Sequence, residues 1–247
     1  MNIFFEIHKD IPREGPGDNT STKKAFQSLK GLPDQPAILD IGCGPGMQTL
    51  ELARNTNGKI VALDMHQPFL DRLQQSVNEK KLSHKVEVVK GSMFSLQDYF
   101  KEFSFDVIWS EGAIFIMGFE HGLNSWFPFV KKGGFIAVSE LTWLKPKRPK
   151  EINDFWANDY PGMKTVEENL QLVENAGYDL VDHFTLPESS WWNDYYVPLE
   201  KRVAMLREQH KNSDEWQGKL DESLREIEMY RKYSEYYGYV FYVMQKV

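Results

Sequence analysis

The chain has 247 residues, 41% hydrophobic and 26% charged, an ordinary composition for a soluble protein able to bury a real core. Its formal net charge of −7 leaves no long basic face for neutralising phosphates, which argues against nucleic acid as substrate or partner. No apolar run approaches the ~20 residues of a membrane span, there is no signal-peptide layout, and the single cysteine, Cys43, excludes an intramolecular disulfide and a multi-cysteine zinc site; the expectation is a cytoplasmic protein without a metal.

In chain order, residues 1–36 come before any regular pattern. Within them Arg13 and the turn-forming "EGPGD" (14–18) suit a segment that hinges or folds over a site. From residue 37, near-continuous apolar runs alternate with helix-like spacing. "AILDI" (37–41), "KIVALD" (59–64), "KVEVVKG" (85–91), "FDVIWSE" (105–111) and "GFIAVSEL" (134–141) read as buried strands. Between them "MQTLELARN" (47–55), "PFLDRLQQSVNEKKL" (68–82), "LQDYFKEF" (96–103) and "LNSWFPFVKK" (123–132) read as helices. A further helix is bounded by Thr165, three residues before Glu168, and by Gly177. "YDLVDHFTL" (178–186) and "GYVFYVMQKV" (238–247) supply strands six and seven.

The pattern predicts an α/β fold: a Rossmann-like, seven-stranded, mostly parallel sheet with helices on both faces. No interdomain linker is visible, so 1–247 reads as one domain, with a cap segment (1–36), a core (37–141) and two insertions. The first, an aromatic loop over 142–164, contains "KPKRPK" (145–150), a solvated basic loop. The second, 187–237, contains "ESSWWNDYYVP" and two helical patterns over 199–210 and 214–237. Additions at this edge of a parallel sheet are where substrate specificity is commonly built.

The glycine loop after the first strand poses the functional question. Glycines at a strand's carboxyl end let the backbone approach a ligand, and the following helix offers unpaired N–H groups. A dinucleotide loop has the order G-x-G-x-x-G. Here Gly42, Gly44 and Gly46 follow Asp40, and Met47 stands where the last glycine of that fingerprint should fall, which disfavours a dinucleotide oxidoreductase. Asp64 closes the second strand with an ionised carboxylate able to accept from two vicinal hydroxyls.

"LDIGCGPG" with Asp64 resembles the first two motifs of class I S-adenosylmethionine (SAM)-dependent methyltransferases. The likeness covers residues 37–141 and, more loosely, the last strands, and is similar to small-molecule enzymes of the ubiquinone/menaquinone (methyltransferase type 11) group; "REGPG", "WSEGAIF", "KKGGFIAVSE", "EINDFW" and "YYGYVFY" carry it. The resemblance implies a C-terminal antiparallel strand, SAM as cofactor and S-adenosylhomocysteine as product, while the position and aromatic content of residues 1–20 and the two insertions predict a lid over the substrate. It places Gly42, Gly44 and Gly46 under the methionine part, Asp40 near its amino group, Asp64 at the ribose and Met65 at the adenine face. Ser92 stands where the family often has an acid reaching the adenine amine, and Met93 supplies a backbone N–H. Cys43 counts as a buried filler of the loop, without a base to activate it.

Methyl transfer needs an aligned acceptor and the exclusion of water. Glu111, ending the fourth strand, reads as a contact to the methionine end, as a base, or as a carboxylate capping a turn. Arg13, Trp143, Trp156, Tyr160, Trp191 and Tyr195 are substrate-side candidates, since aromatic rings close a pocket, though such rings also simply pack loops down. The reading is methyl transfer to a small molecule, with a non-catalytic SAM-binding protein and aminopropyl transfer from decarboxylated SAM as alternatives.

Overall fold

The computed structural model describes residues 3–247; the first two residues of the expected cap segment lie outside the described residues. Seven strands form one sheet: β1 (Ala37–Ile41), β2 (Lys59–Asp64), β3 (Val86–Lys90), β4 (Phe105–Glu111), β5 (Val130–Trp143), β6 (Tyr178–Thr185) and β7 (Tyr237–Lys246), in the order β3-β2-β1-β4-β5-β7-β6. The first five pair in parallel, and β7 runs antiparallel to both β5 and β6.

The apolar runs are continuous because both faces are covered. Ile38, Ile60, Val107 and Trp109 bury on one face, and Leu39, Ile41, Leu63 and Ile108 on the other, as the two-residue period of a strand requires. The order reverses between β1 and β4, and the crevice at their carboxyl ends is the natural ligand site of such a sheet.

Ten helices accompany the sheet among the described residues: α1 (Ile3–His8), α2 (Asn19–Gln27), α3 (Met47–Asn55), α4 (Gln67–Glu79), α5 (Phe119–Trp126), α6 (Lys150–Asp159), α7 (Val166–Asn175), α8 (Ser189–Trp191), α9 (Val197–Gln209) and α10 (Asp214–Tyr233). The box starting α7 forms in full: Glu168 N–H donates to the Thr165 hydroxyl at 3.3 Å, and Thr165 N–H donates to the Glu168 carboxylate at 2.7 Å.

Four segments depart from the sequence reading. Residues 96–103 form only a 3₁₀ turn, Leu96–Asp98; so short a stretch gains little from helix formation, and Phe103 turns to a φ of 53° and donates its N–H to the Pro128 carbonyl. The helix expected over 123–132 starts earlier, at Phe119, and gives way after Trp126 to a turn containing Pro128, whose missing N–H cannot extend it. The aromatic loop of 142–164 is not a loop throughout: Thr142 and Trp143 finish a β5 longer than expected, and α6 follows. The N-terminal segment begins with α1, which its mixed composition did not announce.

The insertion after β6 is core. Trp191, Tyr196, Leu199, Val203, Leu220 and Ile227 are each 1% exposed or less. A π turn, Trp192–Tyr196, joins α8 to α9 and sets Trp191 and Tyr195 toward the crevice. The N-terminal segment is tied to this insertion: Gly17 N–H donates to the Ser190 carbonyl at 3.1 Å, the Ser190 hydroxyl donates to Asp18, and Arg202 donates to the Glu6 carbonyl at 3.0 Å.

Candidate active site

A cavity of about 620 Å³ opens at the carboxyl ends of β1, β2 and β4, within the size range of sites that enclose a small ligand. Its floor is the glycine loop. Gly42 and Cys43 donate their N–H groups to the Leu63 carbonyl at 2.8 and 3.1 Å, and Gly44 donates to Asp64 Oδ2 at 2.9 Å. Gly42 has a φ of 70°, and a Cβ there would stand 2.5 Å from that of Ala113. Gly46 has a φ of 89°, and a Cβ there would stand 2.2 Å from Leu73 of α4; only glycine combines that left-handed turn with such close helix packing.

Asp64 faces the cavity with its oxygens already fixed, since His66 N–H donates to Oδ1 at 2.8 Å. Each oxygen retains a lone pair for a ligand hydroxyl. Gly42, Gly44, Cys43, Met65 and Met93 also line the cavity, whereas Gly46 and Ser92 do not. The Ser92 hydroxyl instead accepts the Phe94 N–H at 3.2 Å. Cys43 is buried, and desolvation pushes its thiol well above its ordinary value, as an inert filler requires.

Asp40 does not reach the cavity. It is fully buried behind the loop, where Thr49 of α3 donates to one carboxylate oxygen and the other has no partner among the described residues. Burial raises its pKa to about 7. Its position on β1 makes it a support of the loop rather than a contact to a ligand.

Glu111 lies in the wall but is fully engaged. Arg13 Nη1 donates to Oε2 at 3.0 Å, while the Thr22 hydroxyl and Trp109 Nε1 donate to Oε1 at 2.7 and 2.9 Å. These three contacts tie the N-terminal segment to the end of β4, and the readings of Glu111 as a contact to the methionine end, as a base or as a cap stay open. Arg13 lines the cavity yet spends its charge on Glu111, with a second bond to Asn19. Trp156, Tyr160, Trp191 and Tyr195 all face the cavity, but Trp143 does not. At the end of β5 it packs edge-on against Tyr237 and beneath the Arg148 guanidinium.

Several residues in the wall had not been singled out. Glu14, beside Gly44, has both carboxylate oxygens buried without a partner among the described residues, and burial raises its pKa to about 8; its place in "REGPG" was the available signal. Tyr239 lies in "YYGYVFY", another stretch that carries the resemblance, whereas Glu226 of α10 and Asp159 come from segments without such a signal. Tyr195 is oriented by His8, whose Nδ1 donates to the Phe4 carbonyl at 2.9 Å. Burial lowers the His8 pKa, so the ring is neutral and its Nε2 accepts the Tyr195 hydroxyl at 3.3 Å.

Buried acids give the fold an unusual pH dependence. Glu140 of β5 accepts the Tyr160 hydroxyl at 2.6 Å, its other oxygen has no partner among the described residues, and burial raises its pKa from 4.5 to about 8. Between those values the folded protein holds a proton that the unfolded chain releases. The stabilisation is therefore full below about pH 4.5 and is lost as pH rises toward 8. The melting temperature of the ligand-free protein is expected to fall from about pH 5.5 to about pH 8.5, and Glu140→Gln, neutral throughout, should flatten that slope. An unchanged slope in the variant would remove Glu140 as its source.

A mostly parallel sheet with this strand order, a glycine loop closed by an acid on the next strand, and a cavity above them form the arrangement that the sequence resemblance implies. Residues 38–134 match the family model of a methyltransferase domain.

Over 186 residues the chain is 26% identical to the sterol 24-C-methyltransferase erg6 of Aspergillus fumigatus, covering 68% of this chain and 46% of that one. It is also 26% identical to the phosphoethanolamine N-methyltransferase of Triticum aestivum, covering 79% and 36%. The chain thus spans half or less of the length of these curated relatives. Among solved structures, a SAM-dependent methyltransferase from Thiobacillus denitrificans in complex with S-adenosylhomocysteine has a TM-score of 0.83 at 19% identity, covering 100% of this chain and 99% of that one. No helix among the described residues is long and apolar enough to cross a membrane.

Proposed function

We propose that the protein transfers the methyl group of SAM to a small molecule held in this cavity. The observation that carries the reading is the Asp64 carboxylate, fixed by Gly44 and His66 at the edge of the glycine loop and open to the same cavity that the aromatic rings close.

The residues fit the cofactor. Asp64 accepts the ribose hydroxyls, Met65 and Met93 flank the base, and Gly42 and Gly44 leave room for the amino-acid end. Glu14, an orphan carboxyl beside that loop, becomes the partner of the ammonium group by ionising as the cation approaches. The unpaired N–H groups of the first turn of α3 add donors for the carboxylate. When bound, SAM supplies an electrophilic methyl on a sulfonium.

The chain orients the acceptor and excludes water: Trp156, Tyr160, Trp191 and Tyr195 form an apolar enclosure, and Tyr195, whose O–H points to His8, offers the cavity an accepting oxygen. In this reading residues 1–36 form the cap, 37–141 hold the cofactor, and 142–164 and 187–237 serve the acceptor within one domain acting in the cytoplasm.

Nothing in the comparisons favours aminopropyl transfer. The test is incubation with methyl-tritiated SAM and a small-metabolite extract, alongside calorimetry. Label should enter the small-molecule fraction. S-adenosylhomocysteine should bind and raise the melting temperature, and NAD should not. Binding without transfer to any fraction would leave a SAM-binding protein that is not an enzyme.

A further inference from the structure

The cavity has two chemically different ends. The glycine-loop end carries Arg13 and His66. Arg13 is paired with Glu111 at 3.0 Å. His66 is stacked under Phe5, with ring centroids 3.7 Å apart.

The other end is built from α6, α8, the π turn, α10 and β7, and no lysine or arginine lines it. Its walls are the rings of Trp156, Tyr160, Trp191 and Tyr239, and its charged groups are two acids, Glu226 and Asp159. Glu226 accepts the Tyr196 hydroxyl at 2.9 Å on one oxygen. It has no positive partner among the described residues, and burial holds its carboxyl up at about 7.

No group of three or more acids, histidines or cysteines among the described residues could hold a metal ion. An organic cation entering this end would meet two acids that no lysine or arginine neutralises. Aromatic faces around a carboxylate are the chemistry that holds an ammonium, each face attracting the charge and the acid neutralising it. A sterol-like hydrocarbon would leave Glu226 as a neutral acid and make no use of its charge.

We propose that the methyl acceptor carries a cationic nitrogen, seated among the rings of Trp156, Tyr160, Trp191 and Tyr239 and against the carboxylates of Glu226 and Asp159. The inference rests on the methyltransferase reading above, and names its acceptor class.

The test uses the full chain saturated with S-adenosylhomocysteine and three small probes of near-equal shape: choline, its neutral carbon isostere 3,3-dimethylbutan-1-ol, and the anionic 3,3-dimethylbutanoate. Calorimetry, or quenching of tryptophan fluorescence, should show choline binding roughly tenfold or more tighter than the neutral isostere, with the anion weakest. Glu226→Gln should erase most of that preference while leaving S-adenosylhomocysteine affinity unchanged. Asp159→Asn, at an exposed position where folding is not at stake, should reduce it by a smaller factor.

Equal binding of choline and its isostere, no binding of any probe, or an unaltered preference in Glu226→Gln would overturn the inference and leave the methyltransferase reading standing. Failure of S-adenosylhomocysteine itself to bind would count against that reading instead.

Discussion

Asp64→Ala is expected to weaken S-adenosylhomocysteine binding by about 1.5–3 kcal/mol, roughly 10- to 150-fold. The carboxylate is held on both oxygens by backbone donors, Gly44 at 2.9 Å and His66 at 2.8 Å, so it meets a ribose without first losing side-chain freedom. Removing it deletes a charge-assisted acceptor and also frees the Gly44 N–H, loosening the loop under the cofactor. Calorimetry on the folded variant measures the loss, and Ser92→Ala serves as the contrast, because that hydroxyl is turned to Phe94 and lies off the cavity wall. A loss from Ser92→Ala as large as that from Asp64→Ala would contradict the assignment of the ribose to Asp64.

The contrast between those two residues shows how far the sequence was legible. Asp64 ends a strand that is apolar on both faces, so its place at the sheet's carboxyl edge follows from chain order alone. The glycine loop was legible for the same reason. Ser92 lies two residues beyond β3, where the direction of a side chain depends on a turn that the sequence does not specify. Asp40 is one residue from the strand end, but its side of the strand is covered by α3, and strand alternation puts it behind the loop.

The far wall was the least legible. Trp143 and Trp156 belong to the same insertion, and only the extension of β5 to residue 143 separates the one that packs against Tyr237 from the one that faces the cavity. Glu226 sits in "DESLREIEMYRKY", among charges that read as a solvated helix surface. Its burial against Tyr196, thirty residues earlier, is a tertiary fact with no local signature.

The second large effect is expected at Arg13 and Glu111. Both side chains are about 95% buried and their ion pair spans 98 residues, joining the N-terminal segment to the end of β4. Removing one partner of a buried pair strands the other charge, which typically costs about 3–5 kcal/mol, and in a chain of this size each kcal/mol corresponds to about 2–4 °C in melting temperature. Arg13→Met should therefore lower the melting temperature by about 6–20 °C. It leaves Glu111 with two neutral donors, Thr22 and Trp109, and no cation. The double variant Arg13→Met with Glu111→Gln should recover part of the loss, since it removes both charges and keeps an acceptor for those donors. The packing here leaves no slack: a Cβ on Gly17 would stand 2.8 Å from Arg13 Nη1. Losing the pair should also free the segment that carries Glu14 over the glycine loop, so amide exchange over residues 3–27 should quicken more than that of the sheet, and S-adenosylhomocysteine affinity should fall with it. A melting temperature within 1 °C of the parent protein, with exchange over 3–27 unchanged, would show that the pair is solvated in the working protein and that the cap is held by other contacts.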